Sequence, residues 1–464
     1  MGRIVIENVS ILTLDDQDRF INRGALVMEG SNISQVVDRP TLEEAERRQG
    51  DTLIDGTDKV AMPGLVDLHF HTACAKGFND HLPLWEYLDQ TWYGSLLTLG
   101  CKARRSCKPF RYPSIRALMP DGAKKAAFAS YLEAIKCGTT HVNDMYRHLP
   151  ALADAATEIG IQATLANDVA SDEHKLDSLS DNVSAYAAYD GAAEGRVRVN
   201  IGIEWIPLAD RELLRGASDL AGSLKTGIHI HLNESPTEIE STLKRFGKRP
   251  TELAYECGLL GPRTVAAHAV DLSDEEILLI AKTGTHVSHN ASSNAKLGNG
   301  IARLTDMLAA GINVGLGHDA SECNNAVSLF QVMKFTSLIH RAVQQDASLL
   351  PPSQILRMAT RNGSKALDTK AGQLAVGWKA DIILLDLTKP AFCPLDPGNA
   401  TQLQSHIVFA ADADVVSDSI IDGRIVMRDQ KLVFVDEKKV LLEANAAFQE
   451  VKLVMKSVTV ARKK

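Results

Sequence analysis

A chain of 464 residues is too long for one compact core and fits two domains, or a large barrel with an accessory domain. It is 45% hydrophobic and 23% charged with a formal net charge of −8, which is ordinary for a globular protein and implies no general attraction to nucleic acid or acidic lipid. No run of about 18 apolar residues predicts a membrane span.

The amino terminus and the cysteines indicate the compartment. The first residues, MGRIVI, are typical of a strand and lack the basic flank, apolar stretch and cleavage site of a secretion signal. Seven cysteines are scattered without a C-x-x-C pair, so we expect reduced thiols and a cytoplasmic protein.

Both ends of the chain carry short β-prone runs between Gly, Asn and Asp turns. These runs cover residues 4–9, 24–29, 33–37, 380–386, 405–410 and 415–427. Two β-rich ends around a long middle predict one small β-sandwich built from both terminal segments. We place its two parts at 1–60 and 369–435, with a helical tail at 436–464.

The middle of the chain alternates short apolar runs with alanine- and leucine-rich helical stretches. The predicted strands are 64–69, 139–144, 161–168, 197–205, 227–232, 264–268, 285–288 and 313–318, and helices are predicted at 124–136, 236–246, 274–282 and 304–310. Eight strand–helix units predict an α/β fold with a (β/α)8 TIM-like barrel over 61–368. An open doubly wound sheet is disfavoured because no G-x-G-x-x-G follows the first strand.

Histidines and acids collect at the ends of these predicted strands. His69 and His71 form an H-x-H pair after the first strand, and both side chains face the same way because strand residues alternate. The other strand ends carry His229, His231, Glu234, His268 and Asp319. Carboxyl ends of barrel strands converge on one mouth, where active sites lie.

A single histidine in such a strand usually lies in the core, but several at the carboxyl ends of different strands favour a metal site. Imidazoles with one carboxylate suit one divalent ion, zinc first and ferrous iron second, with a position left for water. We predict His69, His71, His231 and Asp319 as ligands and a structural role for His229.

Seven motifs, followed by two in the closing sandwich, carry a family resemblance. They are PGLVDLHFHT (63–72), KGFNDHLPLWEYL (76–88), GTTHVNDMY (138–146), IHIHLNES (228–235), VAAHAVDLSDEEI (265–277), HNASSNAKLGNGI (289–301), GINVGLGHDASECNN (311–325), AGQLAVGWKADIILLD (371–386) and SIIDGRIVMRD (419–429). Together they resemble the amidohydrolase superfamily, in the branch of methylthioadenosine/S-adenosylhomocysteine, guanine and cytosine deaminases and triazine hydrolases.

The resemblance implies a hydrolytic deaminase that releases ammonia from a nitrogen heterocycle. Glu234 would protonate a ring nitrogen, His268 would polarise the attacked position or hold the substrate, and Asp319 would take a proton from water. The fourth strand, VRVNIGIEWIP, lacks the lysine of two-metal relatives, which favours a single metal. Relatives of this kind are often dimers or larger, so a homo-oligomer is expected.

Some residues depart from the pattern of the family. His318 and Ala320 stand where relatives usually have Thr and Gly, and His318 is expected to support Asp319, to reach the substrate, or simply to pack. Candidate substrate contacts in the loop after the first strand are Lys76, His81, Trp85 and Trp92. The two tryptophans could stack a flat ring or anchor a lid helix. The basic segment 102–116 could bind an anionic group, but a solvated face is favoured.

Three other functions stay open at this stage. A triazine-type chlorohydrolase or alkylaminohydrolase is the main rival, but Glu234 favours an amine leaving group because chloride needs no proton. Cyclic amide hydrolysis is disfavoured by the missing lysine. A non-catalytic scaffold is disfavoured by the complete set of predicted ligands together with Glu234 and His268.

Overall fold

The computed structural model describes residues 2–72, 75–77, 80, 82, 84, 120–174 and 176–462. Its strands are β1 (Arg3–Leu12), β2 (Phe20–Glu29), β3 (Asn32–Val37), β4 (Thr52–Asp55), β5 (Lys59–Pro63), β6 (Leu65–His71), β7 (Thr139–Met145), β8 (Gln162–Ala166), β9 (Val197–Ile203), β10 (Ile228–Leu232), β11 (Thr264–His268), β12 (His286–His289), β13 (Val314–Leu316), β14 (Asp319–Ala320), β15 (Ile382–Asp386), β16 (Val416–Ile421), β17 (Arg424–Arg428) and β18 (Lys431–Leu432).

Helices separate most of the barrel strands. They are α1 (Pro120–Lys136), α2 (Leu149–Ile159), α3 (Leu179–Tyr189), α4 (Arg211–Leu224), α5 (Pro236–Phe246), α6 (Pro250–Glu256), α7 (Asp274–Thr283), α8 (Ala291–Lys296), α9 (Leu304–Ala309), α10 (Ser321–Asn324), α11 (Leu329–Gln344), α12 (Pro352–Ala359), α13 (Arg361–Ala366), α14 (Ala400–Phe409) and α15 (Glu437–Arg462). None of those within the described residues is long and apolar enough to cross a bilayer.

The barrel sheet runs in the order β13-β12-β11-β10-β9-β8-β7-β6-β14, and all neighbouring strands in this order are parallel. The short strand β14 follows β13 closely in the chain and pairs with β6, so the last strand returns to the first and closes the ring. Most barrel-strand residues are buried, as expected for parallel strands covered by helices on one face and a packed barrel interior on the other. The predicted (β/α)8 fold is confirmed.

The terminal segments form a second, mixed sheet in the order β18-β17-β16-β15-β5-β1-β2-β3, with β4 paired to β1. The strands from the two ends of the chain meet where β5 pairs antiparallel with β15. One residue, Gly64, separates β5 from the first barrel strand, β6. The sandwich expected from both chain ends is therefore confirmed, and it adjoins the amino-terminal ends of the barrel strands.

One predicted β-run is wrong. Residues 405–409 belong to helix α14 and Ala410 caps its carboxyl end, while Asn399 caps its amino end by accepting a hydrogen bond from the backbone N–H of Gln402. Leu403, Ile407 and Val408 recur at helical spacing and are all buried, so the β-branched pair inside a longer periodic stretch packs as one helix face.

Candidate metal centre and active site

Four side chains from three strand ends meet at the mouth of the barrel. Nε2 of His71 lies 3.1 Å from Nε2 of His231. Oδ1 of Asp319 lies 3.5 Å from Nε2 of His69 and 3.6 Å from Nε2 of His71. All four residues are buried, so the barrel brings together the four ligands that the sequence predicts.

The hydrogen bonds behind two of these rings define which nitrogen carries the proton. Nδ1 of His71 contacts the carbonyl oxygen of Met145, and Nδ1 of His231 contacts that of Glu204. Because a carbonyl oxygen only accepts, each Nδ1 must be the donor, and in a neutral imidazole each Nε2 then presents a lone pair. Two lone pairs that face each other repel, unless a cation lies between them.

The spacing of the donor atoms fits such a cation. Imidazole nitrogens bound tetrahedrally to zinc would lie about 3.3 Å apart, close to the 3.1 Å that separates His71 Nε2 from His231 Nε2. Nε2 of His69 is buried with no hydrogen-bond partner among the described residues. The donor atoms of His69, His71 and Asp319 lie within 4.8 Å of one another. The group is thus a candidate site for a divalent metal ion.

His229 lies behind His69. Nε2 of His229 is 2.9 Å from Nδ1 of His69. The other ring nitrogen of His69, its Nε2, faces Asp319. Such a contact orients a ligand ring and fixes its tautomer.

Burial and charge set these groups in metal-binding form. Burial lowers the pKa of His71 to about 3, which leaves the imidazole neutral. Burial acts to raise the pKa of Asp319, but its interactions with His69, His268 and His71 outweigh burial and hold that pKa well below its usual value. Neutral imidazoles and an ionised carboxylate are the forms that bind metal.

His268 faces the same point from the end of β11. Its Nδ1 is 2.8 Å from Oδ1 of Asn294, and its Nε2 is 3.9 Å from both Glu234 Oε1 and Asp319 Oδ2. Its donor atom also groups within 4.8 Å of those of His69 and His231. His268 can therefore contact either the metal or a group bound beside it.

Glu234 follows β10 and is buried beside this cluster. Asn299 donates a hydrogen bond from Nδ2 to Oε1 of Glu234 at 2.9 Å. Burial raises the pKa of Glu234 to about 8, and the negative charge of Asp319 contributes in the same direction. A carboxyl group that keeps its proton at neutral pH can serve as a general acid.

The remaining predicted site residues are placed differently. His318 is fully buried and its Nδ1 lies 2.7 Å from Oδ2 of Asp67. Lys76 is partly exposed and forms an ion pair with Glu133 at 2.7 Å. The predicted substrate contacts His81, Trp85 and Trp92 and the basic segment 102–116 lie outside the described residues.

Sequence reasoning missed Asn299 and Glu238. The buried carboxylate of Glu238 accepts hydrogen bonds from the backbone N–H groups of Asn233, at 3.1 Å, and Glu234, at 2.7 Å. Its position four residues after Glu234, in the first turn of α5, was the available signal, because acids are favoured there. Nothing in the local pattern marks Asn299, which reaches Glu234 across the mouth.

Known proteins resemble this chain in sequence over most of its length. The sequence model of the amidohydrolase family matches residues 60–426. The chain is 34% identical over 455 residues to a 5′-deoxyadenosine deaminase of Methanosarcina barkeri, covering 97% of this chain and 98% of the relative. It is 35% identical over 446 residues to a 5-methylthioadenosine/S-adenosylhomocysteine deaminase of Acetivibrio thermocellus, covering 94% and 96%.

Two solved structures share the fold. An adenosine deaminase from Xanthomonas campestris with bound zinc has a TM-score of 0.85 and 23% identity, and the match covers 97% of this chain and 98% of that one. An atrazine chlorohydrolase from Arthrobacter aurescens complexed with zinc has a TM-score of 0.84 and 22% identity, with coverage of 96% and 100%. Because the family match spans most of the chain and two relatives align over nearly its full length, this chain belongs to the amidohydrolase family.

Proposed function

We propose that this protein is a metal-dependent hydrolytic deaminase that releases ammonia from the adenine ring of a 5′-deoxy- or 5′-thio-substituted adenosine. It is a hydrolase of carbon–nitrogen bonds in a cyclic amidine. The observation that carries the proposal is the convergence of four candidate metal ligands with Glu234, a buried carboxyl whose pKa burial raises to about 8, at one mouth. The substrate class comes from the relatives, two of which are named for such nucleosides.

The metal would be held by His69, His71, His231 and Asp319. When bound, a divalent cation lowers the pKa of water to about 7 and so supplies a nucleophile at neutral pH. We propose zinc, because three imidazoles and one carboxylate suit it and two proteins of the same fold contain it. Ferrous iron is the second candidate.

The proton transfers are assigned to two carboxyl groups. Oδ2 of Asp319 accepts a hydrogen bond from Ser293 Oγ at 2.5 Å, which orients the carboxylate, and Asp319 would take a proton from the attacking water. Glu234 would give its proton to the ring nitrogen beside the carbon under attack. Each positioned proton transfer is worth about 10²–10⁴ in rate.

The state of Glu234 favours deamination over dechlorination. An amine leaves only after it gains a proton, whereas chloride leaves without one. A buried carboxyl with its pKa raised to about 8 can protonate the ring nitrogen, and the proton that Asp319 takes from water would then pass to the departing amine. His268, with Nε2 at 3.9 Å from Glu234, would face the same reacting carbon.

Ammonia release tests the proposal. Metal-loaded protein is incubated with 5′-deoxyadenosine, methylthioadenosine, S-adenosylhomocysteine, adenosine, guanine and a chlorotriazine. We expect ammonia from the substituted adenosines. Chloride from the triazine without ammonia from any purine would overturn the proposal in favour of a chlorohydrolase.

Two further features belong to the same proposal. A homo-oligomer is expected from the resemblance, and Leu441 and Leu442 on α15 leave exposed apolar surface that a second copy could cover. Light scattering at several concentrations measures the assembly. The cytoplasmic location stays a prediction from the cysteine pattern.

A further inference from the structure

The barrel closes at a seam where backbone pairing is interrupted. Strand β13 ends at Leu316 and β14 begins at Asp319, so Gly317 and His318 lie between the two paired segments. The crossing is tight, because a Cβ at Gly317 would lie 2.5 Å from Asn290 Oδ1 and 2.9 Å from His69 Cβ. Gly317 keeps one backbone hydrogen bond, from its N–H to the carbonyl oxygen of His289 at 3.2 Å, but it has no room for a side chain that could hold His318 in place.

A buried carboxylate from the first strand takes over that role. Asp67 lies on β6, two residues before His69. Its Oδ1 accepts the backbone N–H of His318 at 3.0 Å, and its Oδ2 lies 2.7 Å from Nδ1 of the same residue. Both side chains are fully buried, so water does not compete with these two bonds.

The residue that follows is the candidate ligand Asp319. Its φ of 77° is in the left-handed region, which is unfavourable for a residue with a side chain and persists only where its surroundings enforce it. The pairing of β14 with β6, which sets Asp319 opposite Phe70, constrains it on one side. The two bonds with Asp67 constrain the backbone N–H and the side chain of His318, the residue immediately before it.

We propose that Asp67 and His318 form a clamp that positions Asp319 for metal binding, an inference that rests on the proposed metal-dependent function. The clamp fixes the ligand from the first strand, which also carries His69 and His71. His318 is then a positioning residue rather than a substrate contact. Its ring is fully buried and packs edge-on against Phe70, with centroids 4.7 Å apart.

The test measures metal affinity of the folded protein by competition with a chelator, independently of any substrate. Asp67→Ala removes both bonds, and we expect the Kd for zinc to rise about 10–100-fold, the usual cost of losing a partner that orients a ligand. The matched control is Asp381→Ala. Asp381 is also a buried carboxylate that accepts one backbone N–H, from Asp422, and one side-chain donor, from Gln162, but at the other end of the barrel. Its loss should lower the melting temperature and leave the Kd unchanged.

A second pair of variants keeps the test decisive if Asp67→Ala fails to fold. The amide nitrogen of His318→Asn can replace Nδ1 as a donor to Asp67, whereas His318→Leu fills space without donating. We expect near-normal zinc affinity for His318→Asn and about 10-fold weaker binding for His318→Leu. If His318 only packs, His318→Leu should bind zinc more tightly than His318→Asn.

Equal Kd values for the wild type and Asp67→Ala would overturn the clamp, as would an equal loss in Asp381→Ala. Tight zinc binding by a wild type that deaminates none of the nucleosides would instead overturn the proposed function. In that case a weakened Asp67→Ala would still support the clamp.

Discussion

Asp381 and Asp319 are buried carboxylates at opposite ends of the barrel. Asp381 accepts hydrogen bonds from Gln162 Nε2 at 2.6 Å and from the backbone N–H of Asp422 at 2.7 Å, where the terminal sheet meets the start of β8. Asp319 also accepts two hydrogen bonds, from Ser293 Oγ at 2.5 Å and from the backbone N–H of Ala320 at 2.7 Å, but its Oδ1 faces imidazole nitrogens at 3.5 and 3.6 Å as well. One of these, Nε2 of His69, has no hydrogen-bond partner within the described part of the chain.

The difference separates a structural network from a binding site. Buried polar groups are normally hydrogen-bonded, so an unpaired one needs an explanation such as a metal-binding role. The hydrogen bonds of Asp381 tie the two sheets together. In the cluster around Asp319, binding a cation would satisfy Nε2 of His69. We therefore expect perturbations at the mouth to affect chemistry and those at the opposite end to affect stability.

Metal removal should have the largest effect. We expect a chelator to abolish ammonia release and to lower the melting temperature, since a ligand at 100 times its Kd stabilises the folded state by about 2.7 kcal/mol. An ammonia assay and scanning calorimetry, each run with chelator, without chelator and after zinc addition, measure the two effects. If the metal-free protein kept its activity, the cluster around Asp319 would not be a catalytic metal site, and its contrast with Asp381 would fail.

Glu234→Gln should have the second-largest effect. The variant keeps the shape of the side chain but has no acidic proton, so kcat should fall about 10²–10⁴-fold. The zinc content should stay near one per chain, because Glu234 is not among the predicted ligands. Ammonia release and metal analysis on one preparation check this, and a loss of zinc would assign Glu234 to the metal site instead.

Asp381→Ala should affect stability alone. It leaves the side chain of Gln162 and the N–H of Asp422 buried without their acceptor, at a cost of about 1–3 kcal/mol in the free energy of unfolding. The kcat of the folded fraction should be unchanged. Denaturant unfolding and steady-state kinetics on the same sample would show whether the two ends are as independent as we infer.

The smallest effect concerns pH. If Glu234 acts in its protonated form, kcat/KM falls as the pH rises through the pKa of that group, which is about 8 without metal. A bound cation would favour the carboxylate form and shift this alkaline limb of the kcat/KM profile to lower pH. The hydrogen bond from Asn299 lowers the pKa of Glu234, so Asn299→Ala should move the limb upward by a fraction of a unit. A downward shift in the pH profile would contradict the assignment.

Local pattern was enough to predict much of the fold. The predicted strand 264–268 matches Thr264–His268, because the hydrophobic pattern changes there from helical spacing to a short apolar run. The predicted helix 236–246 matches Pro236–Phe246, because a Ser-Pro pair marks its start. Residues 405–410 were misread because a β-branched pair in a short window hid the helical spacing that begins at Leu403.

The candidate site divides in the same way. Strand-end reasoning grouped His69, His71, His231 and Asp319, and the structure places them together, although their roles as ligands stay predictions. The contact of Asp67 with His318 could not be predicted, because it joins residues 251 positions apart and exists only through closure of the barrel. Similarly, Asn299 reaches Glu234 from a loop whose path no local pattern defines.

The return of β14 to β6 also has a consequence for biosynthesis. His69 and His71 leave the ribosome with the first barrel strand, but the carboxylate of Asp319 arrives only when the last strand has been made and has paired with Phe70 and His71. A nascent or truncated chain therefore offers only part of the ligand set. Tight retention of metal would mark chains whose barrel has closed, and release of metal would be an early sign that the seam has opened.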